Sequence, residues 1–440
     1  MNLTDDFQNL NSLPTTKSFQ AWRSLAQKKV TELPFPTRKQ EEWKYTNLDE
    51  LKATSWQSNF GTTAIGQKDN LQAEYSKFLL SQFETISFIN GSYQKATLQS
   101  LPVRFTSELS ETEFHTYFSS FLTEDYFELL NRAWSQEGLI IEIPAGKSYD
   151  KPLCIDFYYS SSDLKKEPLA AHPRIFINVG ASANLKLIFR TFGKESYFNN
   201  LVARVNLAKD SHVEFVNFQA NFNSSYSFTN IDFSLAENST LKSFNISLSG
   251  KLNRERLNIR HQGHGASSFC YGAYLTQEQA QSDHYTNIEH LVGQGKSVQL
   301  YKGLLSDESR AVFNGRVFIA PGAIKTDSTQ LNNNLLLSSK AEIDSKPQLE
   351  ILADDVKATH GTTVGQLDEE EIFYLQSRGI SKTAAIQLLA RGFVFEILSH
   401  VEDKMLQTWL KSQLAETLND LKISDDQQSH SPVQKSLEKK

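Results

Sequence analysis

Apolar residues in the first third of the chain recur at helical spacing. Phe19, Trp22, Leu25, Ala26, Val30 and Leu33 outline one face of a helix that Pro34 and Pro36 stop. Phe114, Phe118, Phe121 and Leu122 predict a second helix, and Thr123 is placed to cap a third carrying Phe127, Leu130 and Trp134. Between them, residues 86–91 (ISFING) read as a strand and turn. Residues 1–136 are therefore expected to form a mostly helical N-terminal domain.

From Gly138 to about Ile351 the period shortens to two, as in LKLIF (185–189), VEFVNF (213–218) and FNISL (244–248). Small polar runs precede the strands: GASANL, AKDSHV, AENSTL, GASSF and GQGKSV. The apolar anchors that end them, Leu185, Val213, Leu241, Phe269 and Val298, are spaced 28, 28, 28 and 29 residues apart. A fixed period of this size, with strands and no helices, predicts stacked β-coils. A β-sandwich with regular turns is the competing reading. Further repeats at 304–313 and 336–343 extend the pattern, so residues 137–365 are expected to be a β-helix core. Such a solenoid ends in an unpaired edge, where a second chain can add strands.

After Gly365 the helical period returns. Asp368 with Glu371 forms a carboxylate variant of the capping box, the helix runs through Phe373 and Leu375, and Gly379 ends it. Ser381 caps a second helix bearing Ile386, Leu389, Ala390, Phe393 and Ile397, and a third bears Leu406, Leu410, Leu414, Leu418 and Leu421. Residues 366–421 are expected to be a separable C-terminal helical domain. The polar segment 422–440 is expected to be disordered.

Composition narrows the function classes. The 45 basic and 51 acidic residues are well mixed and sum to −6, which offers no electrostatic footprint for nucleic acid or an anionic membrane. The first ten residues are acidic where a signal peptide is basic, and no apolar run approaches the ~20 residues that span a bilayer, so a cytoplasmic protein is expected. Cys154 and Cys270 are the two cysteines, far apart, and read as ordinary thiols. Since clusters usually need about four thiolates, no iron–sulfur cluster is expected to be held stably by this chain alone.

Candidate chemistry is sparse. GQGKS at 293–297 has His290 where a P-loop needs its first Gly, and a strand-like VQLYKG follows instead of a helix, so it reads as a turn. His261, His264, His284 and His290 invite a metal reading but lack a third ligand at suitable spacing. Ala353, Asp354 and Asp355, upstream of His360, read as a solvated turn, with an acid/base cluster as the alternative.

Three segments carry a resemblance. Residues 301–365, beginning YKGLLSDESRAVFNGRVF and ending DDVKATHGTTVG, and the later run DEEEIFYLQSRGISKTAAIQLLARGFVFEIL resemble the core and C-terminal signatures of the SufB/SufD family of iron–sulfur cluster assembly proteins. EEWKYTNL at 41–48 is similar to the N-terminal motif of the SufD branch. The resemblance implies a right-handed parallel β-helix between an N-terminal segment and C-terminal helices. It also implies a non-enzymatic accessory scaffold that pairs with SufB through the β-helix edge and docks the ATPase SufC on its C-terminal helices. Arg378, Gly379, Ile380, Ile386, Leu389 and Phe393 are the expected SufC-docking residues. Iron or an iron–sulfur cluster would be transient cargo of the complex, a flavin is a further candidate cofactor of that complex, and the isolated chain is expected to form a homodimer. The family's KCSHG-like motif is KATHG here, with Ala358 at the Cys position, which leaves His360 as the candidate metal contact at the SufB interface. A carbohydrate-active β-helix enzyme and a purely structural homodimer are the competing classes.

Overall fold

The computed structural model describes residues 16–58, 71–94, 101–118, 125–160 and 168–421. Phe121, Leu122, the Thr123 cap and the expected disorder of 422–440 lie outside the described residues. The N-terminal segment contributes helices α1 (Lys17–Glu32), α2 (Asp49–Ala53), α3 (Glu111–Phe118) and α4 (Tyr126–Trp134). Its strands are β1 (Gln57–Ser58), β2 (Glu84–Ile89), β3 (Ser92–Gln94) and β4 (Val103–Phe105). The central region follows as β5 (Gly138–Ile143), β6 (Leu153–Tyr159), β7 (Leu169–Ala171), β8 (Arg174–Val179), β9 (Asn184–Gly193), β10 (Tyr197–Leu207), β11 (His212–Ala220), β12 (Tyr226–Leu235) and β13 (Thr240–Ser249). It continues as β14 (Leu252–His261), β15 (Ser267–Thr276), β16 (Gln281–His290), β17 (Lys296–Leu305), β18 (Arg310–Ile319), β19 (Asp327–Leu336), β20 (Glu342–Ile351) and β21 (Lys357–Gly365). Helices α5 (Glu369–Ser377), α6 (Lys382–Phe395) and α7 (Lys404–Asn419) close the chain. Among the described residues no helix is long and apolar enough to cross a membrane.

The central strands form two sheets, ordered β20-β18-β16-β14-β12-β10-β8-β5-β4 and β21-β19-β17-β15-β13-β11-β9-β6-β2-β3. From β8 onward each coil lays one strand into each sheet, parallel to the coil before it, so the fold is the expected β-solenoid and not a sandwich. The polar runs read from the sequence are its corners. Ser182, Asp210, Asn238, Gly265, Gln294, Lys325 and Asp355 occupy equivalent corner positions in successive coils, all at positive φ. Backbone bonds tie these corners to one another, as from Asp210 N to Glu237 O at 2.9 Å and from Lys325 N to Asp355 O at 2.8 Å. Short polar residues and glycine recur there because they tolerate the left-handed conformation best. GQGKS is such a corner, followed by β17, and residues 353–355 form the turn of the last coil.

Two anchors of the 28-residue period are displaced. Val213 pairs with Leu185 and Leu241, but Leu241 pairs with Ser268 and Ser268 with Ser297, while Phe269 and Val298 lie one position further on. That coil is a residue shorter, and a one-residue slip exchanges the two faces of a strand. The inward positions are therefore the fully buried serines, and Phe269 packs outward beside the C-terminal helices.

Neither end segment is a body apart. β2 pairs in parallel with β6, β3 with β2 and β4 with β5 antiparallel, so the N-terminal segment closes that end of the solenoid. Helix α1 presents Phe19, Trp22, Ala26 and Val30 to the core, but Leu25 faces solvent. Helix α4 is capped by Asp125, which accepts from Glu128 N at 2.7 Å. The 41–48 motif runs across the outer face of the first sheet. Trp43 lies under the Arg254 guanidinium at 3.8 Å, Arg254 pairs with Glu42 at 2.9 Å, and Thr46 donates to Asp283.

The C-terminal helices cover the outer face of the second sheet, where Ile386, Ala390, Val394, Leu406, Trp409 and Leu410 share one apolar cluster with Val216, Phe218, Phe244, Ile246 and Leu300. Ion pairs Lys186–Asp403 at 2.6 Å, Lys242–Glu402 and Lys302–Glu396 rim the contact. The Glu214 carboxylate accepts from Glu402 N at 2.8 Å, just before α7. The helices expected as a separable unit pack on this sheet: helices this short bury their apolar stripe in tertiary contact, and here the sheet supplies it. The caps at Asp368 and Ser381 and the stop at Gly379 hold locally, although Asp368 forms no box with Glu371 among the described residues. Asp368 accepts from Glu370 N at 2.8 Å, Ser381 from Ala384 N at 3.3 Å, and Gly379, at φ +86, closes α5 with bonds to Gln376 O and from Ile380 N to Leu375 O.

Candidate functional site

The last coil is open. β20 and β21 are the terminal strands of the two sheets, and each is hydrogen-bonded along one side only among the described residues. The strand alternation turns Ile343, Ser345, Leu349 and Ile351 of β20, and Ala358, His360, Thr362 and Val364 of β21, toward the solenoid axis, because their register partners on the coil below face inward and are buried. Among the described residues nothing lies above them, so Ile351 is 41% and Val364 52% exposed, and His360 is exposed too. Elsewhere in the solenoid such positions are core. Ala358 and His360 stand at the rim of this mouth, two residues apart on one inward face.

Beneath the mouth the interior changes character. In the early coils the inward columns are Leu185, Leu187 and Phe189, then Val213 and Phe215, all fully or nearly fully buried. Toward the open end the same columns carry Ser268, Cys270, Tyr301, Gln299, Ser328, Gln330 and Asn332. His360 heads the column that descends through Gln330, Gln299 and Cys270 to Ser243. On the facing sheet, Glu255 and His284 form a buried pair at 3.1 Å, with Asn217 donating to Glu255 at 3.1 Å. Tyr301 fits because Gly272 faces it: a Cβ there would lie 2.2 Å from the ring.

The other histidines do not converge. His261 and His290 sit on adjacent coils with ring centroids 4.2 Å apart, each within 2.9 Å of a serine hydroxyl, Ser268 and Ser297 respectively. His264 Nδ1 is at a corner, 3.2 Å from Gly293 O. Among the described residues no three His, Cys, Asp or Glu side chains are grouped to hold a metal. Both thiols are buried, and burial pushes Cys270 up to about 12 and Cys154 well above its ordinary value, so neither rests as a thiolate.

A cleft of about 1060 Å³ on the outer face of the first sheet is lined by several carboxylates, most of them held in ion pairs, while Glu142 accepts from Tyr117 and Asn178. Arg204 binds Glu128 and Asp232, the latter at 3.2 Å, and Arg256 binds Asp125 at 3.0 Å. This network ties α4 to the sheet.

Burial also lowers imidazole pKa values, His290 to about 4 and His172 to about 3. The folded chain therefore refuses protons that the unfolded chain binds below about pH 6.5. Stability is full above that pH and falls as the pH drops toward the folded values, by about 2 kcal/mol per imidazole at pH 5. Urea melts at pH 7 and pH 5 should show this loss, and His290→Asn should shrink it. An unchanged pH slope in that variant would count against the burial argument.

The C-terminal helices place the six expected docking residues unevenly. Arg378 and Gly379 are exposed, and Ile380, Leu389 and Phe393 are half-buried against the core. Ile386 is fully buried against the solenoid, with its apolar face spent within this chain. The exposed apolar surface lies instead at Phe373 (72%), Tyr374 (57%) and Leu388 (49%), with the Arg378 guanidinium donating to the Tyr374 hydroxyl at 3.0 Å. Phe373 and Tyr374 lie beside the buried Ile372 in one short helix, so their position on the other face was readable from period alone. Gln330, Gln299 and Glu255–His284 were not, because polar residues in a strand ordinarily mark the solvent side.

Comparison with known proteins gives consistent matches. Residues 1–155 match the family described as SufBD protein N-terminal region, and residues 160–393 match the SUF system FeS cluster assembly, SufBD core domain. The chain is 31% identical over 406 residues to the iron–sulfur cluster assembly protein SufD of Escherichia coli (strain K12), covering 92% of this chain and 94% of that one. It is 28% identical over 403 residues to an iron–sulfur cluster assembly SufBD family protein of Synechocystis, covering 86% of each. A chloroplastic protein of Arabidopsis thaliana is 23% identical over 418 residues, 90% of this chain and 85% of that one.

Proposed function

This chain belongs to the SufBD family, as a SufD-type iron–sulfur cluster assembly protein, and from that premise we propose that it is an accessory scaffold that pairs with SufB through its open last coil. The observation that carries the reading is the mouth itself: two unpaired parallel strands above an unfinished core. Such an end is satisfied by a further coil, and a related solenoid offers one. SufC, which would supply ATP hydrolysis, docks on the exposed Phe373, Tyr374, Leu388 and Arg378 surface. Because these helices share a core with the second sheet, movement of SufC is passed to the solenoid as a whole and so to the SufB contact. With no SufB present, the same edge pairs two copies of this chain.

Iron and the nascent cluster are cargo of this junction. His360 is an intermediate-softness ligand at the rim, with Ala358 where a thiol would stand, so any thiolate must come from SufB. Affinity purification of the native complex tests the scaffold reading, and absence of SufB and SufC among the co-eluting chains would sink it. For the site, anaerobic reconstitution of the three-component complex with His360→Ala should lower iron and sulfide content several-fold at unchanged complex yield. Ala358→Cys should fold normally and raise iron retention. Equal cluster content in His360→Ala and wild type would demote His360 to an interface residue.

A further inference from the structure

We propose that the interior of the C-terminal coils is hydrated at two places: ordered water molecules bridge the buried Gln330 and Gln299 amides beneath the His360 mouth and, two coils further in, the Asn245 and Asn217 amides beside the Glu255–His284 pair. These waters lie in the chain's own interior and do not depend on the assembly role.

Both side-chain polar atoms of Gln330, which is 0% exposed, lack a hydrogen-bond partner among the described residues. So do Gln299 Nε2, Asn217 Oδ1, Asn245 Oδ1 and His290 Nδ1 in the same interior. An exchange of amide N and O does not cure this. Gln330 lacks partners for both atoms, and turning Asn217 would face its oxygen to the Glu255 carboxylate, which its nitrogen now binds at 3.1 Å. The Gln330 amide lies against Gly315, where a Cβ would sit 2.0 Å from the nitrogen, and no described side chain bonds it there.

An amide buried without a partner costs several kcal/mol, and native proteins satisfy more than ~90% of buried polar groups. Six orphaned atoms in one interior therefore require a partner small enough to enter it. Geometry selects water. Gln330 pairs in register with Gln299, and Asn217 with Asn245, so the two members of each pair lie one coil apart, a step of about 4.8 Å. Two hydrogen bonds of about 2.8 Å through one bridging water span that step. The Glu255 carboxylate at the inner end is a further acceptor that a dry interior would penalise.

A crystal structure of the full chain, refined to where waters are visible, should show ordered waters within about 3.2 Å of the Gln330 amide, Gln299 Nε2 and the Asn217 and Asn245 oxygens. Gln330→Met keeps the side chain's length while removing both polar atoms. If water is present, the variant strands it, and Tm should stay level or fall by up to about 5 °C. Density showing the Gln330 amide bonded directly to protein groups with no water would overturn the proposal. So would a Tm raised by several degrees in Gln330→Met, the response expected when a dry, unsatisfied amide is removed.

Discussion

Removing residues 366–421 is expected to leave the solenoid unable to fold as a soluble monomer. The helices cover Val216, Phe218, Phe244, Ile246, Leu248, Tyr271, Leu300 and Leu304 on the outer face of the second sheet. At roughly 1.5–3 kcal/mol per large apolar side chain, these eight alone are worth about 12–24 kcal/mol as an upper estimate. Whole-domain stabilities are only about 5–15 kcal/mol. The truncated chain should therefore collect in the insoluble fraction or bind a hydrophobic dye as an aggregate. Trp409→Ala is the graded version. Its ring meets Phe83 at 5.5 Å and Phe218 at 5.0 Å, and the change should cost about 3–5 kcal/mol in a denaturant melt. A truncated protein that is monodisperse, β-rich and cooperative in its melting would show the helices to be an appendage after all.

The double variant Ile351→Asp with Val364→Asp should abolish association through the open coil while sparing the fold. Both side chains point toward the solenoid axis yet are 41% and 52% exposed in the single chain, so aspartate there meets water. In a paired assembly the same positions are covered, and burying an unpaired carboxylate costs several kcal/mol each. Association should weaken more than about 100-fold, since 1.4 kcal/mol is a factor of ten. Sedimentation of the isolated protein across micromolar concentrations, and SufB pull-down from the complex, read this directly. The melting temperature should change little. Retained dimer and retained SufB binding would move the interface away from the last coil.

How much of this was legible in the sequence depends on whether neighbours along the chain or neighbours in space decide a feature. Corner chemistry is local. Asp210, Asn238, Gly265 and Gln294 recur because each must take positive φ, and that demand is visible as a period in the residues themselves. The helix caps at Asp368 and Ser381 and the stop at Gly379 are local in the same way, and so is the alternation that makes β9, β11 and β13 strands. The sequence by itself therefore determined the solenoid, its approximate coil length and the three C-terminal helices. What it could not determine is which side of a strand is the inside once the inside turns polar. Phe269 and Val298 look like core and face outward, while Ser268, Gln299 and Gln330 look like surface and lie at zero or near-zero exposure. Hydrophobic pattern marks the interior only where the interior is apolar, and here hydrogen bonding between coils replaces it. The same limit explains Ile386, whose burial depends on a sheet more than eighty residues upstream, and His360, which is exposed only because its coil happens to be the last. Those facts belong to the stacking of coils and helices against one another, and only the tertiary structure decided them.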